Sequence, residues 1–226
     1  MAEIRTISAE DIDRVTRAVT AAEARTDGEI ATIVSERSDS YNDVPLIWAA
    51  LVALLALSVY AALPDFYIGL LDRLTGGWHV WTMREWLTTL VFATAIKFLA
   101  TRYIAAWWPL RMALTPAATK TRRVRARAVA LFKASTERRT RSRTGVLIYL
   151  SLKEHRAEIV ADEAIVAKVS PDAWGAAMAV LVDHLKAGRP GEGMAAAVGA
   201  IGDVLEQHFP RTGNDPDEIP NRMICL

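Results

Sequence analysis

VPLIWAALVALLALSVYAAL (Val44–Leu63) and WLTTLVFATAIKFLATRYIAAWW (Trp86–Trp108) decide how the rest of the chain must be read. The first run is twenty residues without a formal charge, which matches the roughly 20 residues a helix needs to cross ~30 Å of hydrocarbon. The second is long enough but carries Lys97 and Arg102. Together they predict a transmembrane hairpin set inside a chain that is otherwise soluble in character. In the link between them, Trp78 and Trp81, with Trp86 beside them, suit the membrane–water interface. Phe66–Leu74 reads there as a short interfacial helix ended by Gly76-Gly77.

Outward from the hairpin the periodicity changes. Ser8–Thr26 predicts an amphipathic helix, with Ser8 as N-cap, Asp11 in the capping-box position and Asp27-Gly28 as the stop. Its apolar face is Ile12, Val15, Val19 and Ala22. EIATIVSE (Glu29–Glu36) and TGVLIYLS (Thr144–Ser151) are apolar on both alternating faces, the pattern of strands covered on both sides. A long crossover joins them, so they are expected to pair in parallel. RAEIVAD (Arg156–Asp162) follows the turn LKEH and should return antiparallel. Thr115-Pro116 begins a helix expected to run to about Ser142, with Val124, Ala128, Leu131 and Phe132 on its apolar stripe. Two more helices follow, one from Ser170-Pro171-Asp172 to Gly188 and one from about Gly193 to His208. The tail from Pro210 is expected to lie extended on the surface. The expected fold is α/β: a three-layer α/β/α sandwich with a small mixed sheet, interrupted by the two-helix transmembrane hairpin. Residues 1–43 and 109–226 form the discontinuous domain, and 44–108 form the insert.

A net charge of +1 with 52% hydrophobic residues supports no global argument for an acidic or nucleic-acid partner. The single cysteine, Cys225, excludes a disulfide framework and a cysteine-rich metal site, and reads as a bystander thiol. MAEIRTISAEDID at the start has no apolar run, so Val44–Leu63 is expected to direct insertion. Residues 101–143 hold twelve Lys/Arg and one acid, whereas the link 64–85 holds two basic and three acidic residues. The positive-inside rule then places both termini in the cytoplasm, at a bacterial inner membrane. Arg122, Arg123, Arg125 and Arg127 are expected to meet lipid head groups, at about 1 kcal/mol each near an anionic surface. No interleaved aromatics or reading motif accompany them, so nucleic acid is not an expected partner.

Lys97, eleven positions from both Trp86 and Trp108, falls at the centre of the second run, where a charge costs ~2.5 kcal/mol or more. It either snorkels, or sits in a tilted helix packed in an oligomer where the ammonium finds carbonyls, or lines an interhelical path in an oligomeric transporter or channel. Glu158 and Asp162 alternate onto one face with Glu163 beside them, and two converging carboxylates could hold a hard cation. His155 is close in sequence, while His184 and His208 read as surface or capping residues. No phosphate loop, G-x-S-x-G or H-E-x-x-H occurs. GRPGEG (Gly188–Gly193) does not follow a strand and reads as an interhelical turn.

Gly28-Glu29-Ile30, Thr144-Gly145-Val146-Leu147-Ile148, the short turn into RAEIVAD and the tryptophan-bearing helix after it together resemble the TPM domain family, over about residues 8–209. The resemblance implies an α/β/α sandwich, often membrane-held. It also implies acid phosphatase activity or a role in assembly, and a bound hard cation, Ca²⁺ or Mg²⁺, in some members. Where the family carries an acidic Asp-Asn, this chain has Arg143-Thr144. Where the family has a glycine-rich segment, it has Val160–Ile165 without glycine. The leading expectation is therefore a non-catalytic interaction or assembly module at the membrane, its partners the bilayer and either another protein or a second copy. The alternative is a metal-dependent phosphohydrolase using Asp162, Glu163 and His155.

Overall fold

The computed structural model describes residues 7–135, 144–212 and 220–226. The end of the helix expected to reach Ser142, with Glu137, Arg138, Arg139 and Arg143, lies outside the described residues. In chain order the elements are α1 (Ala9–Glu23), β1 (Glu29–Ser35), α2 (Asp43–Ala62), α3 (Pro64–Thr75), α4 (Met83–Ile104), α5 (Trp108–Leu114) and α6 (Ala117–Ser135). They continue with β2 (Gly145–Ser151), β3 (Arg156–Ala161), α7 (Glu163–Val166), α8 (Pro171–Lys186), α9 (Pro190–His208) and β4 (Ile224–Cys225). The chain divides into two compact units, one of Met1–Asp39 with Ala118–Leu226 and one of Ser40–Ala117.

The first unit is built on a four-stranded sheet in the order β3-β2-β1-β4. All seven residues of β1 and all seven of β2 are buried, as their unbroken apolar runs require. They pair in parallel from Glu29↔Gly145 to Ser35↔Ser151, and β3 returns antiparallel to β2. Because strand side chains alternate faces, this register sorts the core into two layers. Ile30, Val34, Val146, Ile148 and Leu150 point to one face, where α1, α8 and α9 cover them through residues such as Val19, Leu181 and Ile201. Ala31, Ile33, Leu147 and Tyr149 point to the other, against Val124, Ala128 and Phe132 of α6. Helices thus stand on both faces of a small mixed sheet.

Local signals hold where they are strong. Ser8 caps α1, its Oγ accepting from the Asp11 N–H at 3.1 Å while Asp11 accepts from the Ser8 N–H. α9 begins at Pro190, three residues before the expected start, because proline suits the first helical turn. α1 and α9 approach so closely that a Cβ on Gly202 would stand 2.7 Å from Ala22 Cβ.

The tail departs from expectation. It does not simply lie on the surface: Ile224 and Cys225 pair in parallel with Ile33 and Val34. The Leu226 N–H donates to Val34 O at 2.9 Å, and the Glu36 N–H donates to Leu226 O at 3.1 Å. A two-residue strand has no periodicity to read. What calls for it is the open edge of β1, whose backbone groups need partners.

The second unit is helical. α2 and α4 follow the two hydrophobic runs, and both are long and apolar enough to cross a membrane. They are not core helices: only 28% of the apolar window of α2, and none of that of α4, is buried. Leu54 is 62% exposed and Phe92 65% exposed. α3 ends at Gly76, whose φ of +82° is the left-handed cap that glycine adopts without strain. α4 stops at Ile104, short of the expected Trp108. Pro109 has no N–H to continue the ladder, and its ring would meet the carbonyl four residues earlier.

Gly202→Val is expected to destabilise the first unit by roughly 1–3 kcal/mol through overpacking against α1. Thermal unfolding of the detergent-solubilised protein reads the loss; an unchanged transition would contradict the close packing of α1 on α9.

Candidate functional site

The sheet has two polar ends, and the structure fills them differently. At the ends of β1 and β2 where their carboxyl termini emerge, where ligands commonly bind in α/β sheets, polar side chains bind one another. Glu154, only 6% exposed, accepts from Ser151 Oγ and, at 2.8 Å, from the Ser38 N–H. Ser38 Oγ and Tyr149 OH are 3.0 Å apart, and Lys153 pairs with Glu36 at 2.6 Å. His155 lies in this turn at φ +51°.

At the opposite end stands Asp162. It is 7% exposed, and its Oδ2 accepts from the Gly145 N–H at 2.9 Å while its own N–H donates to Gly145 O at 3.0 Å. Its carbonyl starts α7, a four-residue helix that the sequence reading missed. The carboxylate therefore satisfies a buried backbone donor at the first residue of β2. Glu158, opposite Tyr149 on β3, takes an ion pair from Arg125 at 3.2 Å. Four residues of strand place Glu158 and Asp162 roughly 13 Å apart, so the expected convergence of two carboxylates does not form. Glu163 is exposed on α7. His155 precedes β3 and Asp162 follows it, roughly 20 Å away at strand rise. The sequence grouping of Asp162, Glu163 and His155 is not a spatial one. Among the described residues no three of His, Cys, Asp and Glu stand together in a way that could hold a metal ion.

A cavity of about 180 Å³ opens near the start of β1, lined among others by Thr20, Glu23, Asp27, Glu29 and Arg211. Its carboxylates also serve the fold. Glu23 Oε1 accepts from the Ile30 N–H at 2.8 Å. Asp27 accepts from Thr212 Oγ1 at 2.6 Å and from the Thr212 N–H at 2.9 Å. These hydrogen bonds, the hydroxyl first, hold the Asp27 carboxyl below its usual range. The sequence marked Asp27 only as a helix stop; its partner lies 185 residues away, beyond any local pattern. Cys225 is exposed on β4, its thiol pushed up by partial desolvation, which suits a bystander and not a nucleophile.

Of the four arginines expected at lipid head groups, Arg123 is held by Asp39 at 2.7 Å and Arg125 by Glu158. Arg122 and Arg127 are exposed on α6. In the helical unit Lys97 Nζ donates to Tyr60 OH at 2.7 Å and lies 5.3 Å from the centre of its ring. The ammonium has found a side chain on α2. Arg111, which the sequence reading left without a role, clasps the base of the hairpin. Its guanidinium donates to Ser40 O and Ala106 O, both at 2.7 Å, and lies 5.9 Å from the Trp108 ring. Tyr41, fully buried at φ +51°, meets Trp108 edge-on.

Helices on both faces of a β3-β2-β1-β4 sheet, with a helical insert in the parallel crossover, define the class of protein. Residues 109–204 match the model of the TPM domain family, as the strand motifs led us to expect. It also shares its fold with the BA42 protein of the psychrophilic bacterium Bizionia argentinensis, at 18% identity and a TM-score of 0.56 over 100% of both chains. No curated protein matches the sequence.

Two outcomes follow from these contacts. Asp162→Ala, by stranding the buried Gly145 N–H, is expected to cost about 1–3 kcal/mol, equally with and without millimolar Mg²⁺ or Ca²⁺ in thermal unfolding. A loss seen only with metal would make the residue a ligand. Because the folded Asp27 carboxyl titrates below its usual value of 3.8, its contribution is fully present above 3.8 and is lost as pH falls from there through the lower folded value. The Thr212 amide resonance should shift over that acid range in the wild type and stay flat in Asp27→Asn.

Proposed function

We propose that this protein is held in a bacterial inner membrane by α2 and α4 and works there as an interaction or assembly module, not as a catalyst. The observation that carries the reading is the engagement of its chemical side chains. Asp162 serves the Gly145 N–H, Glu158 serves Arg125, Glu154 serves the Ser38 N–H, and Lys97 serves Tyr60. A general base or metal ligand needs a lone pair open to substrate, and none of these carboxylates is set out that way.

Two apolar helices with largely exposed faces support the membrane placement, since a soluble monomer rarely exposes contiguous apolar surface of that size. The concentration of Lys and Arg in residues 101–143 supports cytoplasmic termini. Exposed Arg122 and Arg127 are the side chains best free to meet anionic head groups on that side.

Two measurements test this. The full chain should float with lipid vesicles and resist alkaline extraction; recovery in the soluble fraction would reject the anchor. Purified protein should leave a phosphomonoester unhydrolysed with Mg²⁺ or Ca²⁺. A metal-dependent rate that Asp162→Asn or Glu158→Gln removes would establish the phosphohydrolase reading instead.

A further inference from the structure

α4 is 22 residues long, about 33 Å at helical rise. Lys97 is its fifteenth residue, so its Cα lies roughly 5 Å from the helix midpoint. Helical side chains lean toward the N-terminus, which turns the lysine away from Ile104, the nearer end. The bond to Tyr60 OH at 2.7 Å holds the ammonium between the two helices. Tyr60 is 5% exposed, which gives that acceptor little freedom to follow a lysine reaching for water. The usual escape of a membrane lysine, extension to the near interface, is therefore opposed by both its direction and its partner.

Tyr60 is a neutral acceptor and leaves the charge uncompensated. Within Val44–Ala62 and Trp86–Ile104 there is no Asp or Glu at all. Lys97 nevertheless remains exposed, so the charge also faces outward from the hairpin. Ala93 and Ala100 lie four positions before it and three after, on the same helix face, and small residues let a second backbone approach closely.

Resting on the membrane reading above, we propose that the Lys97 face of α4 docks a transmembrane helix of a partner protein that carries one Asp or Glu at matching depth. The carboxylate would accept from the ammonium protons not given to Tyr60, and each charge would cancel the other's cost in hydrocarbon. A lipid phosphate does not fit, because head groups lie ~15 Å from the centre of a ~30 Å core, beyond a lysine turned inward. A second copy does not fit either, since it offers another ammonium and no acid at that depth.

The test uses the full chain, donor-labelled, in neutral phosphatidylcholine vesicles with an acceptor-labelled synthetic leucine-rich helix bearing one central Asp. Energy transfer should report association roughly tenfold tighter than with the same helix bearing Leu there. Lys97→Leu should erase the difference, and adding Val91→Lys to that variant, which moves the ammonium away from Tyr60, should not restore it. Equal affinity for both helices, retention of the preference in Lys97→Leu, or rescue by Val91→Lys would overturn the proposal. So would self-association of two labelled copies that depends on Lys97. Vesicle flotation separates the two readings: a chain that does not float fails the membrane placement, whereas one that floats without preference for Asp fails only this inference.

Discussion

Parallel pairing of β1 with β2 is the constraint from which the first unit follows. Each strand is buried on both faces over seven residues, so a helix layer is required above and below the sheet. Parallel partners also require a crossover. Here it carries residues 36–144, and the α2–α4 hairpin is contained within it. The same pairing leaves one edge of β1 open, and the two residues of β4 close part of it. On the far side β3 completes the sheet by a short turn, and Asp162 then fastens the end of β3 to the beginning of β2.

That fastening explains why acidic residues that look available in the sequence are not. A buried backbone N–H without an acceptor costs about as much as a lost hydrogen bond, so a carboxylate beside one is taken up. Asp162 and Glu23 each serve a backbone donor in this way, and Glu154 serves Ser38 at the other end of the sheet. The cavity near the start of β1 is bordered by carboxylates already engaged in holding α1, β1 and the C-terminal segment together.

The helical unit follows a different economy. Its outer surface is apolar and its polar groups are few, so each one stands out. Arg111 joins the two ends of the hairpin through main-chain carbonyls, a use suited to the planar, multi-donor guanidinium. Lys97 is met by a phenol, which can accept a hydrogen bond but cannot neutralise a charge. The first arrangement draws its acceptors from the hairpin's own main chain, and the second leaves the ammonium without a counter-charge.

Features that depend on neighbours a few residues apart, or on the period of a single segment, can be read directly from the chain. The Ser8–Asp11 capping box, the doubly buried strands, the parallel and antiparallel pairings and the two apolar helices were all legible there. So was the family resemblance carried by the strand motifs, which the match over residues 109–204 supports. Tertiary structure decided what each polar group does, because its partner is distant: 37 residues from Tyr60 to Lys97, 116 from Ser38 to Glu154, and 185 from Asp27 to Thr212. It also separated Glu158, Asp162 and His155, which the sequence sets close together and the extended strand holds apart. Periodicity reports which face a side chain occupies, but a hydrogen bond depends on two atoms within about 3 Å of each other, and only the folded chain brings those atoms together.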